Sequence, residues 1–394
     1  MSRLRKVITA VASLLVIALI LGVLQRLVMP KYAGDIPEGN FTAEYYNETT
    51  EHDVIMVGDC EVYENIDPMY LWKNFGITSY IRGNAQQLAW QSYYMLEDTL
   101  RYEKPKVVIY NVQALSYSEP QREEYNRMTL DGMKWSKTKF DAIKASMCKE
   151  ENIIDYIFPL LRYHSRALEL SSDDFKYFNK RKKSADNGYY MRVDVLPVSE
   201  SDVADPSWLL GDEGKKSDEE SEDDVIDDPW ADIEGADEAA EDEGAAENKP
   251  KAVKENDDMT FGTMPMKYLD KMRKLCKEND IQFILMKAPS LAPQWYDEQN
   301  QQVIDYAEKY NLPYINFYEL LDETAIDYET DTYDGGLHMN LSGADKLSEY
   351  IGSFLTKEYN IKDHRSDEKI SAVYEKKYAE YENRKHEQQK ELEK

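Results

Sequence analysis

The chain is predicted to fold as an α/β protein, a three-layer αβα sandwich on a mainly parallel sheet, with an N-terminal transmembrane helix. Three observations predict it. Short apolar, β-rich runs recur at 53–57, 77–81, 106–112, 281–287 and 314–317. Stretches with helical spacing separate them, and strands that alternate with helices pair in parallel with helices on both faces. A long apolar run also opens the sequence, from Val7 to Val23.

Arg3, Arg5 and Lys6 precede that opening run, and Leu27, Val28 and Met29 extend it past Gln25 and Arg26 before Pro30. Its 17 residues lie at the short end for a spanning helix. Extension to Met29 makes it long enough, with the Arg26 head reaching back to water. No small-x-small cleavage site follows, so residues 1–30 read as an uncleaved signal anchor. The basic flank places the N-terminus in the cytoplasm and the rest outside, as a single-pass protein of the cell membrane.

Residues 31–52 read as a linker and Asp53–Val57 as the first strand. A short helix is expected over Met69–Phe75. Ile77–Ile81 has strand character and ends at Arg82-Gly83-Asn84. Gln86–Tyr102 has helical spacing and is stopped by Pro105. Lys106–Val112 reads as a buried parallel strand, because its apolar residues run on rather than alternate. Residues 121–183 look helical and rich in Tyr, Met and Lys, as an insertion or cap over a site. Tyr189–Leu196 alternates weakly, as an edge strand would. The first part of the domain thus spans 53–198.

Residues 199–258 are acidic and of low complexity. Glu200–Asp258 holds 24 Asp and Glu against 5 Lys, so −19 of the formal net charge of −28 lies there. This composition predicts a disordered insertion, with Trp208 and Trp230 as weak docking spots. Order is expected to return over 259–360, with a helix at Met266–Lys277, strands at Ile281–Lys287 and Tyr314–Phe317, and helices at Gln301–Tyr310 and Ser342–Tyr359. Residues 361–394 read as a charged, helical tail.

Outside the insertion the chain is only mildly acidic. Nucleic acid is an unlikely partner, since phosphate binding needs a basic face. The three cysteines, Cys60, Cys148 and Cys276, are widely spaced and give no zinc pattern or disulfide framework. No metal or other cofactor is expected. A thiol in an exposed compartment is open to oxidation, so Cys60 needs burial or a purpose.

Reactive groups gather at the carboxyl ends of parallel strands. Cys60, Gly83, Asn111, Lys287 and His338 all fall at such ends or just after them. Acyl transfer needs a nucleophile, a base, a group that orients the base, and donors for the oxyanion. Cys60 can attack, His338 can take its proton, and Asp334 can hold the imidazole. The backbone N–H groups of Cys60 and Gly83, with the Asn111 amide, can serve the oxyanion. Glycine at 83 lets backbone approach the reacting carbonyl.

These residues resemble the blocks of the SGNH/GDSL hydrolase superfamily, which centre on Ser, Gly, Asn and His. Gly58-Asp59-Cys60 resembles the first block with Cys in place of Ser. Gly83-Asn84 and Asn111 resemble the second and third. Asp334 through His338, with Asn340 and Gly343, is similar to the last block of membrane-anchored bacterial members, including relatives of alginate O-acetylation proteins and of the D-alanyl-lipoteichoic acid protein DltD. The resemblance covers about 53–115 and 266–354 and implies a flavodoxin-like sheet. It also implies transfer of acyl groups on extracellular polymers, with a membrane-bound O-acyltransferase as a partner.

Two departures leave alternatives open. Cysteine stands for serine, and the acid lies four residues before His338 rather than three, with Asp331 as the other candidate. A catalytic protein acting on O-acyl groups of a cell-envelope polysaccharide is one reading. A non-catalytic descendant that binds acylated glycan or scaffolds an O-acyltransferase is the other. Arg82 and Lys287 are weak candidates for substrate contact, Lys287 being more simply a solvated lysine.

Overall fold

The computed structural model describes residues 3–32, 34, 36–198 and 259–394. The acidic stretch 199–258, with Trp208 and Trp230, lies outside the described residues. The described residues fall into two compact units. One comprises the chain up to Ile36 together with Glu151–Lys182, and the other comprises Pro37–Glu150, 183–198 and Met259–Lys394.

In the first unit a single helix runs over Arg3–Val28, 26 residues with a mean hydropathy of 2.9 across its most apolar window. It is long and apolar enough to cross a membrane. Lys31 closes its carboxyl end. The ammonium donates to the carbonyls of Arg26, Leu27 and Met29 at 2.5, 3.2 and 2.6 Å, groups a helix terminus leaves open. Burial pulls the Lys31 pKa down to about 8. Short helical turns over Pro159–Tyr163, His164–Leu168 and Ser172–Lys176 pack with this helix, and the turn Ile153–Ile157 packs on Pro159–Tyr163. Part of the stretch expected as a cap is thus grouped with the N-terminal helix.

The second unit is built on a five-stranded sheet: β1 (Val54–Gly58), β2 (Ser79–Gly83), β3 (Val107–Asn111), β4 (Gln282–Lys287) and β5 (Tyr314–Asn316). Every pairing is parallel, in the order β2-β1-β3-β4-β5. β1, β3 and β4 are largely apolar and buried, and each side of the sheet has its own core. Val54 and Met56 join one cluster with Ile284, Leu347 and Ile351. Ile55 and Val57 join another with Trp90, Leu96, Leu269 and Met272. Burial on both sides is why these strands read as continuous apolar runs.

This strand order reverses direction between β1 and β3. Such a switch point opens a crevice outside the carboxyl ends of the two strands, the usual ligand site of an open α/β sheet.

Helix ends follow their sequence signals. Asp67 caps the helix Pro68–Phe75, its carboxylate accepting from the N–H groups of Met69 and Tyr70 at 2.7 and 3.2 Å, and Gly76 ends it at φ 68°. Asn340 caps Leu341–Tyr359, accepting from Ser342 and Gly343 at 3.0 and 3.3 Å.

Two expectations change, and a third, the helical tail, is met and extended by its packing. Tyr189–Leu196 is not a strand. It runs as an extended strap whose N–H and C=O groups meet loops singly, Tyr190 N donating to Tyr63 O and Leu196 N to Thr332 O. The 31–52 stretch is not a plain linker, because short helical turns over 37–47 put Phe41 and Tyr45 into the two cores. The charged tail forms the helix Glu368–Leu392, which packs on the protein through Tyr374 and Tyr381. Tyr374 stacks on Trp72 with ring centroids 4.4 Å apart, and Tyr381 donates to Asp67 Oδ2 at 2.6 Å.

Tyr381→Phe removes a buried donor from the carboxylate that caps Pro68–Phe75. It should lower stability by about 1–3 kcal/mol, read by urea unfolding at neutral pH. An unchanged midpoint would show that the C-terminal helix contributes nothing through this bond.

Candidate active site

β1 ends at Gly58, and Asp59 starts the four-residue helix Cys60–Tyr63. Asp59 accepts from Glu61 N at 3.3 Å, which sets the turn and brings Cys60 out at the head of the strand. Two glycines let the neighbouring strand ends close around this turn. A Cβ on Gly58 would lie 2.9 Å from Asn111 Cβ, and one on Gly83 would lie 2.6 Å from Val62 Cγ1. Three strand ends therefore meet at Cys60.

His338 arrives on a loop pinned at both ends. Thr332 and Met339 pair as an isolated antiparallel bridge, and Asn340 N donates to Asp331 O at 2.9 Å. The Asn340 amide donates to Thr330 O at 2.8 Å and Asp194 O at 3.1 Å. Between those pins Gly335 and Gly336 take φ 73° and 95°, a left-handed pair that absorbs the extra residue of the spacing. Asp334 is thereby folded back onto His338. Its Oδ1 accepts from His338 N at 2.8 Å, and its Oδ2 lies 2.6 Å from Nδ1. Asp331 is elsewhere: it is buried and bonded to Lys346 Nζ at 2.6 Å.

The thiol lies near the imidazole. Cys60 is half-buried, and the His338 ring is close enough to act on its thiol. Asp334 occupies Nδ1, so the nitrogen left for the thiol is Nε2. Met339 N donates to Asn65 Oδ1 at 2.7 Å, which ties the histidine loop to the segment after Cys60. The His338 side chain is 16 % exposed and that of Asp334 22 %, so the pair is open to solvent at one edge.

A second carboxylate stands beside the ring. Glu64, four residues after Cys60 and 5 % exposed, has Oε2 3.6 Å from His338 Nδ1. The Tyr333 hydroxyl donates to that oxygen, and the Tyr333 ring stacks on the imidazole at 19°. The Arg192 guanidinium sits over the other aromatic partner, 4.2 Å from the Tyr333 centroid.

These neighbours set the protonation. Burial works against a charged His338 ring. The charges of Glu64, Cys60 and Asp334, with the Asp334 hydrogen bond, outweigh it and hold the pKa well above the ordinary value. Burial pushes the Cys60 thiol up to about 11, although His338 opposes the shift. Burial also raises Glu64. The resting site thus favours a neutral thiol beside a ring that holds its proton. Glu64, Asp334 and His338 bring their ligand atoms within 4.8 Å of one another and are, among the described residues, the group able to hold a metal ion. In this arrangement the three already bond within the site.

Beneath the turn lies a buried charge network. Lys287, at the end of β4, is 0 % exposed. Its ammonium donates to both oxygens of Glu61, at 2.8 and 3.0 Å, and to Ala288 O at 2.8 Å. The expectation of a solvated or substrate-facing Lys287 is thereby corrected, because the buried lysine holds the helix Cys60–Tyr63 through Glu61. Asn111 is drawn into the same network, its amide donating to Glu61 Oε2 at 2.9 Å and Asp59 Oδ1 at 3.2 Å. The amide expected at an oxyanion is thus engaged with two acids. Burial and the Glu61 charge push Asp59 up to about 7, against the opposing charges of Lys287 and His338.

Arg82 also turns inward rather than into a cleft. It is 3 % exposed, donates to Thr99 Oγ1 at 3.0 Å, and lies 3.8 Å over the Tyr45 ring. Sequence reading missed Glu64, Glu61, Asn65 and Tyr333. Glu64 had a signal, since four residues from Cys60 is one helical turn. The others had none, because their partners lie far along the chain.

Comparison with models of known protein families finds no match, and no curated protein matches the chain.

Lys287→Met should destabilise the protein by about 3–5 kcal/mol, since it strands the Glu61 carboxylate without a counter-charge. The double variant Glu61→Gln/Lys287→Met should recover much of that loss in denaturant unfolding. A loss in the double variant equal to the sum of the losses in Glu61→Gln and Lys287→Met would mean that the pair is not coupled.

Proposed function

We propose that the protein is a membrane-anchored, SGNH-like acyltransferase or esterase acting on O-acyl groups of a cell-envelope polysaccharide. Cys60 is the nucleophile, His338 the base and Asp334 the group that orients it. The observation that carries the reading is the hydrogen-bonded His338–Asp334 pair beside Cys60 at the switch point of a parallel sheet. Cores on both sides of β1 support the three-layer αβα arrangement such a protein would have. The Arg3–Val28 helix supports a single-pass anchor, and the basic flank of Arg3, Arg5 and Lys6 is the ground for an N-terminus in the cytoplasm and a site outside. A membrane-bound O-acyltransferase would supply or receive the acyl group.

In the first step the sulfur forms a bond to the acyl carbonyl carbon, and its proton passes to His338 Nε2. Collapse of the tetrahedral adduct breaks the bond to the alcohol oxygen, which leaves with the proton from His338. A thioester on Cys60 remains. Water or a sugar hydroxyl then gives its proton to His338 and attacks the thioester, and the sulfur leaves and regains a proton. Asp334 keeps Nδ1 protonated throughout, so that Nε2 is the atom that exchanges. The backbone N–H groups of Cys60 and Gly83 are the donors proposed for the oxyanion, with Asn111 joining only if its amide leaves Glu61.

A second reading has an observation of its own. The thiol pKa of about 11 and the tied Asn111 amide favour a non-catalytic descendant that binds acylated glycan or scaffolds an O-acyltransferase.

Cys60→Ala should abolish hydrolysis of a chromogenic acetyl ester, a fall of about 10³-fold in kcat/KM, with circular dichroism unchanged. Cys60→Ser should retain more activity than Cys60→Ala. Turnover equal to wild type in purified Cys60→Ala would end the covalent role. Labelling of Cys60 by an acylating electrophile at the same rate as a free thiol, and unaffected by His338→Ala, would favour the second reading.

The base form of His338 exists only above its raised pKa, so activity should fall as pH drops through that value. Glu64→Gln removes the largest charge that raises it and should move the acidic limb of kcat/KM to lower pH. A limb that stays in place would show that Glu64 does not govern the ring.

A further inference from the structure

The bare part of the N-terminal helix runs from Leu4, 67 % exposed, to Leu24, 39 % exposed. At a helical rise of about 1.5 Å per residue this stretch is roughly 32 Å long, close to the roughly 30 Å hydrocarbon thickness of a bilayer. Cover begins just beyond it, and Val28 is buried. The cover comes from the short helices of 151–182, which pack with the N-terminal helix in the same compact unit. They grip its carboxyl end through polar bonds. Arg166 donates to Val28 O at 2.6 Å, Arg181 to Pro30 O at 2.9 Å, and Arg26 to Asn179 Oδ1 at 3.1 Å.

These helices leave large apolar side chains in the open. Ile154, Ile157, Phe158 and Leu161 are 47, 39, 51 and 54 % exposed, Phe175 is 63 % and Leu168 94 %. A water-facing surface seldom carries so many together without a partner. Their position argues for what covers them, since the patch starts where the bare span ends. The same segment carries Lys176, Lys180, Arg181 and Lys182, cations suited to lipid phosphates.

We propose that residues 151–182 form a membrane-interface collar, sinking Ile154, Ile157, Phe158, Leu161, Leu168 and Phe175 into the leaflet from which the chain emerges. The inference rests on the anchoring proposed above. The collar gives the anchor a second, in-plane attachment. It also holds Arg26 and Lys31 at the headgroup level, where charged groups are tolerated.

The test uses the full-length chain with photoreactive benzoylphenylalanine at Phe158, Leu161 or Phe175. Each protein is reconstituted in vesicles of phosphatidylethanolamine and phosphatidylglycerol doped with an alkyne-tagged lipid. The same probe at Leu14 reports insertion of the span. At Leu392, an exposed residue of the other unit, it reports exposure alone. Lipid adducts at the three collar positions should exceed those at Leu392 by about fivefold or more. Adducts at Leu14 without adducts in the collar overturn the collar and leave the anchor standing. No adducts at Leu14 overturn the anchor and the collar with it. Equal labelling at Leu392 overturns the collar, as does cross-linking to a second copy of the chain in place of lipid.

Discussion

The pair between Lys287 and Glu61 is the constraint on which the site depends. Both residues are buried, and removing two charges from water is costly unless each finds close partners. Here the ammonium has both Glu61 oxygens and a backbone carbonyl, and Glu61 also accepts from Asn111. One contact thus joins the end of β4, the turn after β1 and the end of β3. The position of Cys60 follows from that join, because the thiol sits one residue before Glu61 on the helix the pair holds down.

The surroundings of the imidazole carry an excess of acid. Asp334 bonds Nδ1, Glu64 stands behind it, and Asp59 and Glu61 lie under the turn. Two consequences oppose each other. The carboxylates keep His338 in the right orientation and favour its charged form after it accepts a proton. They also make that proton harder to lose, so the resting ring is a poor base at low pH. Burial keeps the thiol neutral at the same time. The proposed function therefore calls for proton transfer between sulfur and ring rather than a standing thiolate.

Two segments that look peripheral prove to be built in. The C-terminal helix reaches back to Asp67 through Tyr381 and to Asp186 through Arg384, so the last charged stretch closes one core. The strap over 189–198 bonds singly to loops on either side of the site. Leu341 N donates to Arg192 O at 2.7 Å, and Val198 N donates to Tyr328 O at 3.0 Å. Both act at a distance in sequence, and the strap, bonded on either side of the histidine loop, helps to hold that loop.

Periodicity made the strands legible, because a strand buried on both faces must be apolar throughout and cannot alternate. The helices expected at Met69–Phe75 and Ser342–Tyr359 lie within a residue of the observed ones, and the glycine pair at 335 and 336 allowed Asp334 as the partner of His338. Those features are short-range, so the chain alone contains them. What Lys287 does was not legible. A lysine at a strand end is solvated unless a distant acid meets it, and Glu61 is brought there only by the sheet. The same holds for Asn111, whose amide has two acids within reach instead of open space, and for Arg82, which the Tyr45 ring and Thr99 receive. Sequence alone determined which groups stand at the strand ends, since that depends on neighbours along the chain. Tertiary structure decided which of those groups face outward and which are neutralised inside, since that depends on charges brought together from far apart.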